Sequence, residues 1–260
     1  MASVLDSLMA PWLRGNDRFH QLLDVLELCT HGIGRLPHFA KAAEEWDRQR
    51  HRFVTGSFDT YVDNPSLEYL RSLAAKAEKE SSLGFPTLHA HVVVSLWSIA
   101  ENTVEDFMVE WVKYDPKFLE RENIPRAKIS IAELMVLDED ERIRYLVDEI
   151  QKHLGCANAR GIEKFERLLS LCGLGEGVED SLRKDLMELC EMRNVIVHRG
   201  STVDRKLLRA CPWIELEPGK LIALDAESCR RYIRAFDSYM GNAMRRIMKK
   251  FEKSPISKTS

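Results

Sequence analysis

The chain has no apolar run approaching the roughly 20 residues that a bilayer-spanning helix requires, so no membrane segment is expected. Apolar and polar residues do not alternate over any strand-length stretch beyond the short 220–224 run, which leaves little material for a sheet. Six cysteines, Cys29, Cys156, Cys172, Cys190, Cys211 and Cys229, are scattered without a CxxC pair or a neighbouring His pair. A zinc finger is therefore excluded, and reduced core thiols are expected. P-loop, GxGxxG, HExxH and GxSxG motifs are all missing, and with them the phosphate cradle, the two-histidine metal helix and the nucleophile elbow. His89 and His91, two apart on a helix, do not share a face, so neither a metal nor another cofactor is expected. The formal net charge is only -3, which gives no whole-chain attraction to nucleic acid. Residues 1–15 include Asp6 and lack a basic segment before a long apolar core, so no secretory signal is read and a cytoplasmic location is expected.

What remains is 260 residues with 45% hydrophobic and 30% charged side chains, ample for a sizeable core. Nearly every segment has helical periodicity, and the expected fold class is all-α. Asn16 is placed to cap a helix carrying Phe19, Leu22, Leu23 and Leu26 that stops near Gly32 and Gly34; Pro37 suits the first turn of a second, ending by Gly56. Asn64-Pro65 opens the next, which ends at Gly84. A helix over about 89–112 shows Val93, Trp97, Ala100, Val104, Met108 and Trp111 on one face, with Glu101 among them. Ser130 and Glu133 form a capping-box signature before one or two helices reaching Leu154. Further helices are expected over about 162–172, 181–199 and 225–251. A weak compositional boundary near Gly84 divides the chain into an N-terminal helical extension (1–85), a bundle (86–252) and a flexible tail (253–260).

Charge is uneven: residues 101–150 hold fourteen acids against seven bases, and 225–260 nine bases against four acids. Arg230, Arg231, Arg234, Arg245, Arg246, Lys249 and Lys250 lie opposite a stripe of Ile233, Phe236, Met240, Met244, Ile247 and Phe251. They fit either an RNA-backbone track, for which Arg230 and Arg234 are the candidates, or an ordinary solvated face.

The most informative stretch is Arg193-Asn194-Val195-Ile196-Val197-His198-Arg199-Gly200. Projected at about 100° per residue, Leu182, Leu186, Leu189, Cys190, Ile196 and Val197 form an apolar stripe with Arg193 in its middle. An uncompensated buried guanidinium costs several kcal/mol, so Arg193 requires an anionic partner or an interface cavity that holds one. Glu101, equally out of place on its own helix, is the candidate for a supporting ion pair. His198 shares a flank with Asn194 and with Glu191, the last read as a solvated acid. Gly200 falls where a left-handed helix cap is expected. Arg199, in the last turn, fits a phosphate contact or an ordinary helix-end base.

An Arg followed at this distance by His means little alone, since Arg14 and His20 have five residues between them. The context here is more specific: Asn directly after Arg, an apolar spacer, Gly shortly after His, and a helix opened by the turn of Gly173, Gly175 and Gly177. With these residues the chain resembles the HEPN superfamily, in particular its stand-alone members of the Arg-Asn-x-x-x-His type (RiboL-PSP-HEPN and relatives). The helix around Trp97 to Glu101, the run Phe165-Glu166-Arg167-Leu168-Leu169 and the connection from Val203-Asp204 to Cys211-Pro212 look like the corresponding family elements. The likeness covers about residues 86–250 and leaves 1–85 unmatched.

The resemblance implies a bundle of four to five helices with additional N-terminal helices, paired as a homodimer so that two Arg/His pairs face one cleft. It also implies metal-independent endoribonuclease activity on RNA. Arg193, Asn194 and His198 would be catalytic, and toxin-antitoxin or antiviral-defence roles, with an antitoxin or sensor protein as partner, are common in such families. The alternative within the family is a non-catalytic module that binds RNA, a nucleotide or a partner protein and keeps Arg193 for structure. A third reading is a plain helical interaction protein. Residues 1–85 fit an interaction module or extra layers on the bundle.

Overall fold

The computed structural model describes residues 4–57, 64–120, 124, 130–156 and 159–252; the tail expected at 253–260 lies outside them. Nine α-helices account for most of the described residues, and the sole strand-like pairing among them is a single antiparallel bridge between Thr202 and Leu221. The all-α expectation holds. No single described helix is long and apolar enough to cross a membrane.

The chain begins differently from the expectation. One helix, α1, runs from Val4 to Thr55 straight through Gly32, Gly34 and Pro37, where a break was expected. Two glycines and a proline cost a helix about 1 and 3 kcal/mol each respectively. Tertiary packing outweighs them. Leu8, Trp12 and Phe19 of α1 are buried in the main core, and the second half is covered on one side by α2 (Pro65–Ser82), with Ala40 buried between them. Asn64 caps α2 as its sequence promised, its side chain accepting from Ser66 N at 3.0 Å. Arg71 Nε donates to Glu44 Oε1 at 2.7 Å and ties the hairpin together.

A sharp turn at Gly84 (φ 76°) and Phe85 (φ 63°) leads into α3 (Pro86–Tyr114). Glu80 reaches forward to cap it, accepting from Thr87 N at 2.8 Å and Leu88 N at 3.2 Å. Helix α3 is the axis of the molecule: Val92, Val93, Leu96, Trp97, Ala100, Val104, Phe107, Met108 and Trp111 are all buried, against α1, α5, α6, α7 and α9. A 3-10 turn (Pro116–Glu120) follows it. Next come α4 (Ile131–Val136), capped by Ser130, and α5 (Glu139–His153). The reciprocal capping box belongs to Asp138 and Glu141 at the start of α5. Helices α6 (Glu163–Leu171), α7 (Asp180–Arg199), α8 (Arg205–Ala210) and α9 (Ala226–Glu252) complete the fold.

Two ionic clusters pin α9. Arg246, 6% exposed, donates from Nη1 to both carboxylate oxygens of Glu166 on α6, at 3.0 and 2.8 Å, and Tyr239 donates its hydroxyl to the same group at 2.9 Å. Arg231 binds Glu188 and Asp185 of α7. These two arginines therefore leave the basic face expected for α9, because the flanks of its apolar stripe are covered by α6 and α7.

Gly15 shows how close the packing between α1 and α3 is. A Cβ built there would stand 2.3 Å from Thr103 Oγ1, so only a residue without a side chain lets the helices meet. Gly15→Ala is expected to lower unfolding stability by about 1–3 kcal/mol, as overpacked cores do. Adding Thr103→Ala should recover part of that loss; thermal or urea denaturation of the single and double variants measures both.

Candidate functional site

The segment 193–198 is helical and forms the last turns of α7, which packs on α3 and α9 inside the bundle. Gly200 adopts the expected left-handed conformation (φ 56°) and ends the helix; Ser201 N bonds back to Val195 O at 3.2 Å. The chain then returns along 219–222, with Val203 N donating to Lys220 O at 2.9 Å and Ile222 N to Ser201 O at 2.8 Å. This small ladder fixes how the end of α7 projects from the bundle.

The Arg193 side chain is 23% exposed. Its Nη2 lies 3.8 Å from Glu101 Oε2, its Nη1 donates to Asn194 Oδ1 at 3.3 Å, and the same nitrogen stands 3.5 Å from His198 Nε2. Its buried Nε has no partner. The guanidinium thus rests against Glu101 along one edge and against the imidazole at the other. Since an arginine only donates, the contact at Nη1 suits a neutral His198 whose Nε2 carries the lone pair and whose Nδ1 carries the proton. His198 and Arg199 are exposed, whereas Val195 is buried, so the turn has a wet side and a dry side.

Glu101 has a nearer partner than Arg193. Lys164 of α6 contacts its Oε1 directly, and the ammonium also lies 5.5 Å over the Trp97 ring and 5.0 Å from that of Phe165. Two cations share one carboxylate. Lys164 went unnoticed in the sequence because it stands in a run of charges, Glu163-Lys164-Phe165-Glu166-Arg167, with nothing to set it apart. Only the α3–α6 contact brings it to Glu101.

The remaining sequence candidates are dispersed. Arg199 Nε pairs with Asp204 at 3.5 Å, and Asp204 also caps α8 by accepting from Leu207 N at 2.8 Å. Arg230 and Arg234 are exposed on α9, and among the described residues no contact joins them to Arg193 or His198. Glu191 is 2% exposed and not the solvated acid expected, because the middle of α7, from Leu186 to Met192, is covered on nearly every side. Cys190, one turn before Asn194, is a neutral thiol at physiological pH, since burial pushes it up to about 11. The other cysteines are also free, and all but Cys29 are buried. His89 is buried and engaged through Nδ1 with Leu224 O at 3.0 Å, and among the described residues no group of three or more His, Cys, Asp or Glu could hold a metal.

A cleft of about 430 Å³ opens on another face of α7, bordered by Lys184, Asp185, Trp213, Asp225 and Arg231. Its floor is Glu188, which accepts from Tyr232 Oη at 2.6 Å, from Trp213 Nε1 at 2.9 Å and from Arg231. Burial alone would push this carboxyl up; hydrogen bonds from Arg231, Tyr232 and Trp213 outweigh it and hold the group below its usual range. Both oxygens of Glu188 are engaged by donors of its own chain, so we read the cluster as a structural anchor. Nothing in the sequence links Glu188 to Arg231, 43 residues away.

No family model, curated protein or solved structure matches this chain.

Because its carboxyl is held low in the folded state, Glu188 stabilises the fold above its unfolded value of about 4.3, and that contribution disappears as pH falls through the folded value. Glu188→Ala should cost about 3 kcal/mol at pH 7, the low end for a broken buried pair because Arg231 remains partly exposed. The gap between Glu188→Gln and the parent should narrow below about pH 4; denaturant unfolding across that range checks it.

Proposed function

We propose that the chain is a HEPN-type, metal-independent endoribonuclease in which Arg193, Asn194 and His198 act on RNA. One observation carries the reading: the guanidinium that the sequence puts in an apolar stripe lies 3.5 Å from His198 Nε2, on the exposed end of a core helix. When an RNA phosphate takes over the Arg193 Nη1, the Nε2 lone pair of a neutral His198 is released and takes the proton from a ribose 2′-hydroxyl as the oxygen attacks the adjacent phosphorus. The 5′-oxygen leaves and takes a proton from water, to which the imidazolium afterwards returns its own, giving a 2′,3′-cyclic phosphate and a 5′-hydroxyl. Arg193 stays charged throughout and presents the terminal nitrogens of its planar guanidinium to the phosphorane oxygens. Asn194, bonded to the guanidinium, orients it. Glu101 and Lys164 brace it from behind.

The site is open rather than enclosed, as expected where a second copy of the chain closes the cleft. A homodimer that brings two Arg193/His198 pairs together is part of this proposal, as are a cytoplasmic location and a toxin or defence role with an antitoxin or sensor partner. Arg199, Arg230 and Arg234 stand as candidate RNA-backbone contacts away from the reacting phosphate. The second reading, a non-catalytic module, draws on the Glu101 contact, since an ion pair alone accounts for Arg193 in the core.

The expected outcome is cleavage of single-stranded RNA in excess EDTA, with a 2′,3′-cyclic phosphate at the new end. His198→Ala should slow cleavage by about 10²–10⁴-fold, the usual contribution of a general base, without changing helicity, because the side chain is exposed. Arg193→Lys should be nearly as slow, since an ammonium lacks the fork. Equal cleavage by the parent and His198→Ala removes the mechanism. No cleavage by either, with RNA still bound, selects the non-catalytic module.

A further inference from the structure

Among the described residues, nothing covers one face of the second half of α1. Val25 (52% exposed), Leu28 (71%), Phe39 (63%), Trp46 (64%) and Phe53 (92%) lie along it, while α2 packs on the opposite side. Phe39, Trp46 and Phe53 are seven residues apart, and continuing that repeat toward the N-terminus gives Gly32 and Val25. The intervening rungs, at 28, 35, 42 and 49, are Leu28, Arg35, Ala42 and Gln49. A sustained seven-residue repeat is the seam of a helix that packs along another helix. At 1.5 Å per residue it extends for about 42 Å. The three rings alone leave roughly 400 Å² in water, already as large as the greatest apolar patch of an ordinary monomer.

We infer that this stripe is an interface with a second copy of the chain, the two α1 helices packed antiparallel. Three features of the helix select that occupant. The flank beside the seam carries Asp24 at one end and Arg52 at the other, with His31, His38 and Glu45 between them. An antiparallel copy sets each end of this flank against its opposite. In the antiparallel register centred near residue 37, Asp24 faces Arg52 of the second copy, His31 faces Glu45, and His38 meets His38. In the seam, Trp46 meets Leu28 and Gly32 meets Ala42. A Cβ added at Gly32 or Gly34 would touch nothing within 4 Å, so the backbone there is open to close approach.

The second feature is self-complementarity, the requirement of a two-fold contact, which this single stripe satisfies. The third is clearance. This register carries Phe53 of one copy to the level of Gln21 of the other, where Arg18 and Gln21 are still exposed, so the rest of the bundle does not obstruct the seam. In the single chain Arg50 lies 5.8 Å over the Trp46 ring, and Glu45 Oε1 accepts from Gln49 at 2.8 Å. Rings and aliphatics from both copies together reach about the 1,200–1,600 Å² of a specific interface.

This contact goes beyond the cleft dimer proposed for RNA cleavage, because it places the two bundles at opposite ends of the paired hairpins. The full chain is measured by sedimentation equilibrium, without RNA. The parent should self-associate at micromolar concentration, and Phe39→Glu with Trp46→Glu should halve the assembly mass at unchanged helicity, both positions being exposed. A second measurement fixes direction: in a Cys29→Ser background, His38→Cys should oxidise to a covalent dimer, whereas Asp24→Cys alone should not. A monomeric parent, a mass unmoved by the double variant, or cross-linking of Asp24→Cys in place of His38→Cys overturns the inference. So does a monomer whose stripe binds lipid vesicles. RNA cleavage enters none of these readouts, so this inference and the catalytic proposal stand or fall separately.

Discussion

The structure depends on burying α3. Fourteen of its residues are buried, around nearly the whole circumference, and a helix so apolar is stable in water only when other helices enclose it. Helix α1 gives up a side chain at Gly15 to approach it, and α6, α7 and α9 pack on the remaining faces. The position of the candidate site follows. Glu101 sits on α3 where α6 and α7 converge, and the Arg193 turn of α7 can only lie beside it.

Carboxylates tie α3, α6, α7 and α9 together at three points. Glu101 gathers Lys164 and Arg193, Glu166 gathers Arg246 and Tyr239, and Glu188 gathers Arg231, Tyr232 and Trp213. Removing one partner of such a group leaves the other desolvated and unpaired, so each cluster fixes helix register more than it adds net stability. The Glu101 cluster differs from the other two. It holds two cations on one acid, leaves a guanidinium nitrogen unsatisfied and opens toward an exposed histidine. That imbalance sets it apart from the other two clusters.

The long α1 helix joins two environments. Its first half belongs to the core of the bundle, and its second half, with α2, forms a hairpin whose outer face carries Phe39, Trp46 and Phe53 in water. Trp46 is the most exposed of the five tryptophans, whereas Trp12, Trp97 and Trp111 are buried. Trp213 is 37% exposed but donates to Glu188, which leaves Trp46 as the ring most open to water.

Local signals in the sequence were reliable where the chain alone decides. Asn64-Pro65, Gly84 and Gly200 open or close helices because capping and positive φ are properties of a few adjacent residues. Arg193 and Glu101 were legible as misplaced charges, and their meeting was inferred from burial cost. Breaks assigned at Gly32, Gly34 and Pro37 were wrong, because the penalty of these residues is smaller than what α2 and the core return to a continuous helix. Glu191 was assigned to water by a projection that allows each helix one wet face, which the middle of α7 lacks. Lys164, Glu188 and the pairing of Arg231 and Arg246 could not be read at all: each depends on a contact between helices distant in sequence. The sequence by itself determined the helical class, several helix ends and the Arg-Asn-x-x-x-His turn, since these follow from periodicity and local backbone chemistry. Only the tertiary structure decided which charges pair, which acids are dry and which face of α1 stays open, because those depend on what each helix is packed against.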